Sequence, residues 1–270
     1  MRTSRWWTAP VAGACALLVA GCGGGTPVAR PTTTTMGWGT TAAPRPAGAK
    51  GAAAAPALPT AASLVARAMA NALATGWAHI DITTTSGGRT TTSSDDVGMA
   101  SGQQAVTANG ARAEARFVGG VAYARGDASS VTSYFGVPAP EAARMGGQWA
   151  AFSPDDAAFS TVAAGVSLSS VLTQDALTGP YRLGAPTVVN GQRVVPVSGI
   201  VSVTGRGPVG LGTLYITPGS GTVPVAFHIA ESDGTTTDVS YSRWGAAFTL
   251  SAPPGAVPAA SLIPPESATG

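Results

Sequence analysis

His79, His228 and the adjacent pairs Asp95-Asp96 and Asp155-Asp156 are the residues of this 270-residue chain best suited to acid–base or metal chemistry. General acid–base work needs two groups converging on one proton. Neighbours on a strand point to opposite faces, so Asp95 and Asp96 make a poor dyad. Asp155 and Asp156 follow Pro154 at a predicted helix start, where carboxylates favour the helix dipole. Both histidines fall on predicted strands, opposite the more apolar faces. A metal site would need carboxylates beside them in space, and the sequence favours solvent-facing strand histidines instead. Gly205 to Gly210 spells Gly-x-Gly-x-x-Gly. A dinucleotide fingerprint requires a strand before it and a helix after it. Here strands are expected on both sides, and Pro208 and Gly212 oppose a helix, so a hairpin loop is expected. There is no Gly-x-Ser-x-Gly elbow and no P-loop, and the sole lysine, Lys50, lies in a low-complexity stretch. No catalytic residue, metal site or cofactor is expected.

Cys22 has a covalent fate legible in its surroundings. Arg2 and Arg5 make a short positive region, Ala9 to Ala20 a short apolar one, and Leu18-Val19-Ala20-Gly21 lead into the thiol. The run is too short to span a bilayer by itself. It resembles the bacterial lipobox. That resemblance implies cleavage before Cys22, lipidation of its sulfur, and a mature chain anchored outside the cytoplasmic membrane. Cys15 would leave with residues 1–21. A mature chain with one cysteine has no intramolecular disulfide and no cysteine-based zinc site.

Composition excludes further classes. Of the 15 basic residues, Arg2 and Arg5 leave with the leader, and the remainder equal the 13 acidic ones. A neutral chain has no bulk attraction to nucleic acid or anionic headgroups. Charged residues are 10% of the chain against a typical ~25%, with Ala, Gly, Thr, Val and Pro in their place. That usage looks like the product of a GC-rich coding sequence, as in actinobacteria. Arg112 and Arg116 share a predicted strand face, with Arg125 nearby. They could guide an acidic headgroup, although a solvated face is the expected role.

Residues 22–59 hold a triple glycine, four consecutive threonines and recurrent Ala/Pro, with no apolar period. Such a segment buries too little surface to offset its ordering entropy, so a disordered spacer is expected. A single domain is expected over residues 60–270. Thr60 should cap a helix that ends at Gly76, with Leu64, Val65, Ala68, Met69, Ala72 and Leu73 on one face. Strands follow from Trp77 to Arg125, with Gly87-Gly88 and Asn109-Gly110 as hairpin turns. Short helices are predicted at Asp127 to Phe135, Glu141 to Met145, Pro154 to Val162 and Ser167 to Leu177. Strands return at Tyr181 to Val189, Gln192 to Val203, Leu211 to Thr217, Thr222 to Glu231 and Thr235 to Trp244. Asn190-Gly191 and Asp233-Gly234 make turns, and Phe248 to Leu250 is a candidate edge segment. The order of helix, meander, helical block and second meander predicts α+β with an antiparallel sheet.

The C-terminal stretch carries a wider resemblance. Leu214-Tyr215-Ile216-Thr217, Val223-Pro224-Val225, Asp238 to Gly245 and Ala252-Pro253-Pro254 resemble the LolA/LolB-like and LppX/LprG-like envelope lipoproteins. Valine stands before Pro224 where leucine is more usual. The resemblance implies a curved antiparallel sheet, an open half-barrel with helices packed in its concave face. It further implies a non-enzymatic role in binding or carrying acylated lipid. By alternation, Ile80, Ile82, Leu214, Ile216, Phe227 and Ile229 are the expected lining of such a cavity. The expected partners are the membrane, through N-terminal acyl chains, and a lipid ligand, with no nucleic acid. A hollow filled by side chains, in a scaffold for an unidentified protein partner, is the competing expectation.

Overall fold

The computed structural model describes residues 60–203 and 207–262. Cys22, the leader and the spacer lie outside them, as do residues 204–206 and 263–270.

Helix α1 (Ala61–Thr75) opens the domain. The Thr60 hydroxyl accepts from the Ser63 amide, and Gly76 ends the helix in the left-handed region, as the cap residues predict. Buried Leu64, Val65, Ala68 and Ala72 form a helical stripe that faces the sheet. Five strands follow as a meander: β1 (Trp77–Ser86), β2 (Arg89–Gly98), β3 (Gly102–Ala108), β4 (Ala111–Val118) and β5 (Val121–Gly126). The middle block holds α2 (Ala128–Phe135), α3 (Ala139–Met145), β6 (Ala150–Phe152), α4 (Phe159–Gly165) and α5 (Leu168–Gln174). The second meander comprises β7 (Asp175–Leu183), β8 (Thr187–Val189), β9 (Gln192–Val203), β10 (Gly207–Ile216), β11 (Pro224–Glu231) and β12 (Thr236–Ser242). A two-residue strand β13 (Val257–Pro258) and a 3-10 turn (Ala259–Leu262) close the described chain.

All but β8 line up in one open sheet, in the order β13, β6, β5, β4, β3, β2, β1, β12, β11, β10, β9, β7. The pairing is antiparallel except between β13 and β6. The sheet does not close, and the architecture is the expected open half-barrel of α+β class. The two meanders join where β1 pairs with β12. The Asn109-Gly110 and Asn190-Gly191 turns have positive φ at both residues, as two-residue hairpins demand.

Several expected elements move. The helix expected from Pro154 starts at Phe159, because Ser153 to Asp156 closes a turn instead. The helix expected to reach Leu177 stops at Gln174, and Leu177 pairs with Val201 as part of β7. The strand expected from Tyr181 to Val189 is two strands, β7 and β8. Phe248 to Leu250 is not a strand, and β6 and β13 occupy that edge of the sheet. Nor is the helical block the only cover: α1 packs on β7, β10 and β11, and α2 and α4 pack on β4 and β5.

Two apolar cores result. One joins α1 and α5 to β1, β7 and β9–β12, with Val97 of β2. The other joins α2, α3 and α4 to β3–β6 and the C-terminal 3-10 turn.

Candidate functional site

The inner face of the sheet is read directly from the register. One row of facing residues runs Val197, Leu214, Phe227, Val239, Ile82, Ser93, Val106, Ala113. The next runs Tyr241, Ile80, Asp95, Gln104, Ala115, Ala124. Each begins apolar, turns polar at β2 or β3, and becomes apolar again.

The six residues expected to line a cavity all belong to the first core or pack against it. Ile80 and Ile216 are 0% exposed, Leu214 and Ile229 3%, and Phe227 4%. Ile82 is half-buried. Leu64, Val65, Ala68 and Ala72 of α1, with Leu168 and Leu172 of α5, share this core. Leu214 faces Phe227 across the β10–β11 ladder, and the Phe227 ring occupies the space above Gly212. The hollow of this half is thus occupied by the protein's own side chains.

The polar interruption between the cores is Ser93, Asp95 and Gln104. Asp95 is 0% exposed. Ser93 Oγ donates to its Oδ1, and Gln104 Nε2 donates to its Oδ2 at 3.1 Å. Burial pushes its carboxyl up to about 7, against the lowering effect of those two hydrogen bonds. The joint between α4 and α5 crosses over this strip. Ser167 bridges to Gly98, and a Cβ on Gly102 would lie 2.0 Å from the Val166 carbonyl oxygen. Only glycine lets the joint come so close. Sequence reading did not single out Asp95 as buried. The available signal was parity with Val97, two residues on, which shares its face.

The histidines face outward, as expected, but neither stands free. His79 Nδ1 lies 2.7 Å from Asp96 Oδ1, and its Nε2 lies 3.3 Å from Asp81 Oδ2. Partial burial works against the charge of Asp96. Hydrogen bonds from Gln103 and His79 outweigh it and hold the carboxyl below the ordinary range. His228 Nδ1 lies 2.7 Å from Asp238 Oδ1. Among the described residues no group of three or more His, Cys, Asp or Glu could hold a metal ion. Asp156 caps its turn by accepting from the Ser153 amide and hydroxyl, so it sits before the helix and not at its start.

A cleft of about 420 Å³ opens on this outer face. The tip of the β8–β9 hairpin, Val189 and Asn190, forms one wall, and Asp81, Tyr215, His228 and Asp238 lie along the floor. Within it Asn190 donates to Ser240 at 3.1 Å and His228 bonds Asp238, while Asp81 pairs with His79 outside the cleft. Arg112 and Arg125 bond Glu114, at 3.1 and 2.8 Å, and Arg116 and Arg125 lie over the Trp149 ring. These arginines brace the outer face. Of the run from Gly205 to Gly210, expected as a hairpin loop, Gly207 to Gly210 are the first residues of β10. They pair antiparallel with β9, because the ladder extends to the edge of the described residues, and no helix follows. Among the described residues no helix is long and apolar enough to cross a membrane.

No family model matches the chain, and no curated protein is similar to it. Among solved structures, the chain is similar to the Mycobacterium tuberculosis lipoprotein LppX at 12% identity and a TM-score of 0.47. That match covers 71% of this chain and 98% of the other. It is similar to MucB at 14% identity and a TM-score of 0.37, covering 70% of this chain and 60% of that one. It is similar to a putative outer membrane lipoprotein-sorting protein domain from Vibrio parahaemolyticus at 8% identity and a TM-score of 0.24. There the coverage is 67% of this chain and 89% of the other.

Proposed function

We propose that this protein is a non-enzymatic envelope lipoprotein, tethered through acylated Cys22, that binds or carries acylated lipid in the hollow of its half-barrel. The observation that carries this reading is the division of the inner surface. An apolar face spanning β1 and β9–β12 is roofed by α1 and α5, and a separate core lies beneath α2, α3 and α4. Two covers with separate cores can part without unravelling the sheet beneath them. Acyl chains then take the place of the helix side chains against Ile80, Ile82, Leu214, Ile216, Phe227 and Ile229. Each methylene so buried contributes about 0.8 kcal/mol, so two chains need no specific polar contact to be held. Residues 22–59 would act as the spacer between bilayer and domain, on the extracytoplasmic side of the membrane.

A second reading has its own observation. Ile80 and Ile216 are fully buried with the helices in place. A permanently filled hollow would make the protein a scaffold for a partner in the envelope.

The deciding experiment is mass spectrometry of lipid extracted from the purified protein, on the wild type and on Phe227→Asp. Circular dichroism must first show the variant folded. Lipid present in the wild type and absent from the folded variant supports the carrier. Lipid absent from both, or retained by the variant, favours the scaffold. The tether has a separate test: Cys22→Ala should leave the detergent phase on partitioning, and a variant that stays in it overturns the lipobox reading.

A further inference from the structure

Asp95 is placed where a carboxyl has no structural reason to be. It lies on the inner face of β2, fully buried, on the boundary between the two cores. Its hydrogen-bond partners there, Ser93 and Gln104, are both neutral. No cation faces it from the elements around it. On β1 the inner positions are Ala78, Ile80 and Ile82, and on β3 they are Gly102, Gln104 and Val106. Helices α4 and α5 and the joint between them carry no titratable side chain. Arg67, the one charged residue of α1, is exposed. Across the sheet, the charge of Asp81 raises the Asp95 carboxyl, and His79 lowers it by less.

We propose that Asp95 is an acid–base latch on the helical cover. Protonated, it is a neutral donor–acceptor that fits under the α4–α5 joint, and the two covers stay together. Ionised, it has only the two neutral donors Ser93 and Gln104 and no cation, so the joint lifts from β2 and β3 to let water reach the charge. A buried carboxylate without a cation is costly enough to reorganise what covers it. The group lies near neutrality by burial, so the change falls within the range of an extracytoplasmic compartment. Opening at this line would expose both cores at once. The use of that opening by acyl chains rests on the carrier reading above.

The test measures the latch and the ligand separately, on the full mature chain. Hydrogen exchange of residues 159–174, corrected for the intrinsic rate, is compared between about pH 5.5 and about pH 8.5. Exchange should rise several-fold in the wild type and stay flat in Asp95→Asn, which has no charge. Its amide oxygen can still accept from Ser93, while its NH2 donates to Gln104 once that amide turns over. Because imidazoles generally titrate in this window, the His79→Gln, His228→Gln double variant is the control and should keep the step. A step that persists in folded Asp95→Asn, or one lost with the histidines, overturns the latch. If Asp95→Asn does not fold, carbon-detected titration of the wild-type carboxyl decides. Its midpoint must coincide with that of the exchange step, and a mismatch overturns the proposal. A neutral fluorescent acyl ester supplies the second reading. Uptake that follows the step supports the latch as a gate for lipid. An exchange step without uptake at any pH keeps the latch and sinks the carrier reading.

Discussion

Asp95 and Asp96 are neighbours on β2 and lie on opposite sides of the sheet. The first is sealed between two cores, and the second is 2.7 Å from His79 on the outer face. One step along a strand separates a carboxyl pushed up to about 7 from one held below the ordinary range. A carbon-detected titration should resolve the two, with Asp95 well above Asp96. Coincident titration would contradict the burial.

Stability should follow from the same pair, with opposite signs. The folded-state pKa of Asp95 is raised, so its contribution is fully present below the ordinary carboxylate range near 4. It is lost progressively as pH rises towards about 7. Asp96, depressed by its partners, contributes above that range, and the contribution is lost as pH falls through its folded value. Asp95→Asn should therefore melt at a higher temperature than the wild type above pH 7, and the difference should vanish in acid. Thermal melts across the pH range check this.

Phe227 fills the space above Gly212 and faces Leu214. Phe227→Ala should cost about 3–5 kcal/mol through lost burial and the cavity left behind. Urea unfolding would measure it. A cost under about 1 kcal/mol would mean that this half of the hollow collapses readily around the gap.

Gly102 admits the Val166 carbonyl to a place a Cβ would take. Gly102→Ala should destabilise by about 1–3 kcal/mol, by the strain of overpacking. Fast amide exchange in the variant should concentrate in α4 and α5, with α1 and β9–β12 unaffected.

Asp127 caps α2 through the Ser130 amide and also accepts from the Ser129 and Ser130 hydroxyls. Those bonds, from Ser129 first, pull its carboxyl down to about 2. Asp127→Ala should cost about 1 kcal/mol at neutral pH. The difference from wild type should fade in acid, as the wild-type carboxylate protonates.

The local signals in the sequence were sufficient wherever the backbone decides alone. Thr60 and Gly76 bound α1, Asp127 and Gly136 bound α2, and Asn-Gly pairs turn two hairpins. Alternation placed Ile80, Ile82, Leu214 and Phe227 on the face that the register makes the inner one. What was not legible depends on partners distant in the chain. Ala176 has helical spacing from Leu172, yet it pairs with Ser202 and lies in a strand. β6 and β13 are too short to show a period; β6 exists by pairing with β5, and β13 by pairing with β6. Asp95 sits in a run of Thr, Ser and Asp that reads as solvated. Its burial comes with the packing of elements distant in the chain, such as the α4–α5 joint that bridges to the same strand at Gly98, some seventy residues later. The same dependence hides the state of the hollow, because alternation gives a face and says nothing of what fills it.

The joining of the two meanders has a temporal consequence. Thr84 and Thr237 share a hydrogen bond across 153 residues of chain. Strands β1–β5 pair with sequence neighbours, as do β9–β12, and each set needs only local loop closure. The β1–β12 ladder must instead wait for almost the whole domain to be made, and loop closure of that length slows folding. A chain that emerges N-terminus first therefore carries Trp77–Ser86 as an unpaired strand edge until Thr236–Ser242 arrives. During that interval the Ile80 and Ile82 side of β1 has neither its neighbour strand nor its complete roof. It is then the place most open to a chaperone or to a second copy of the same chain.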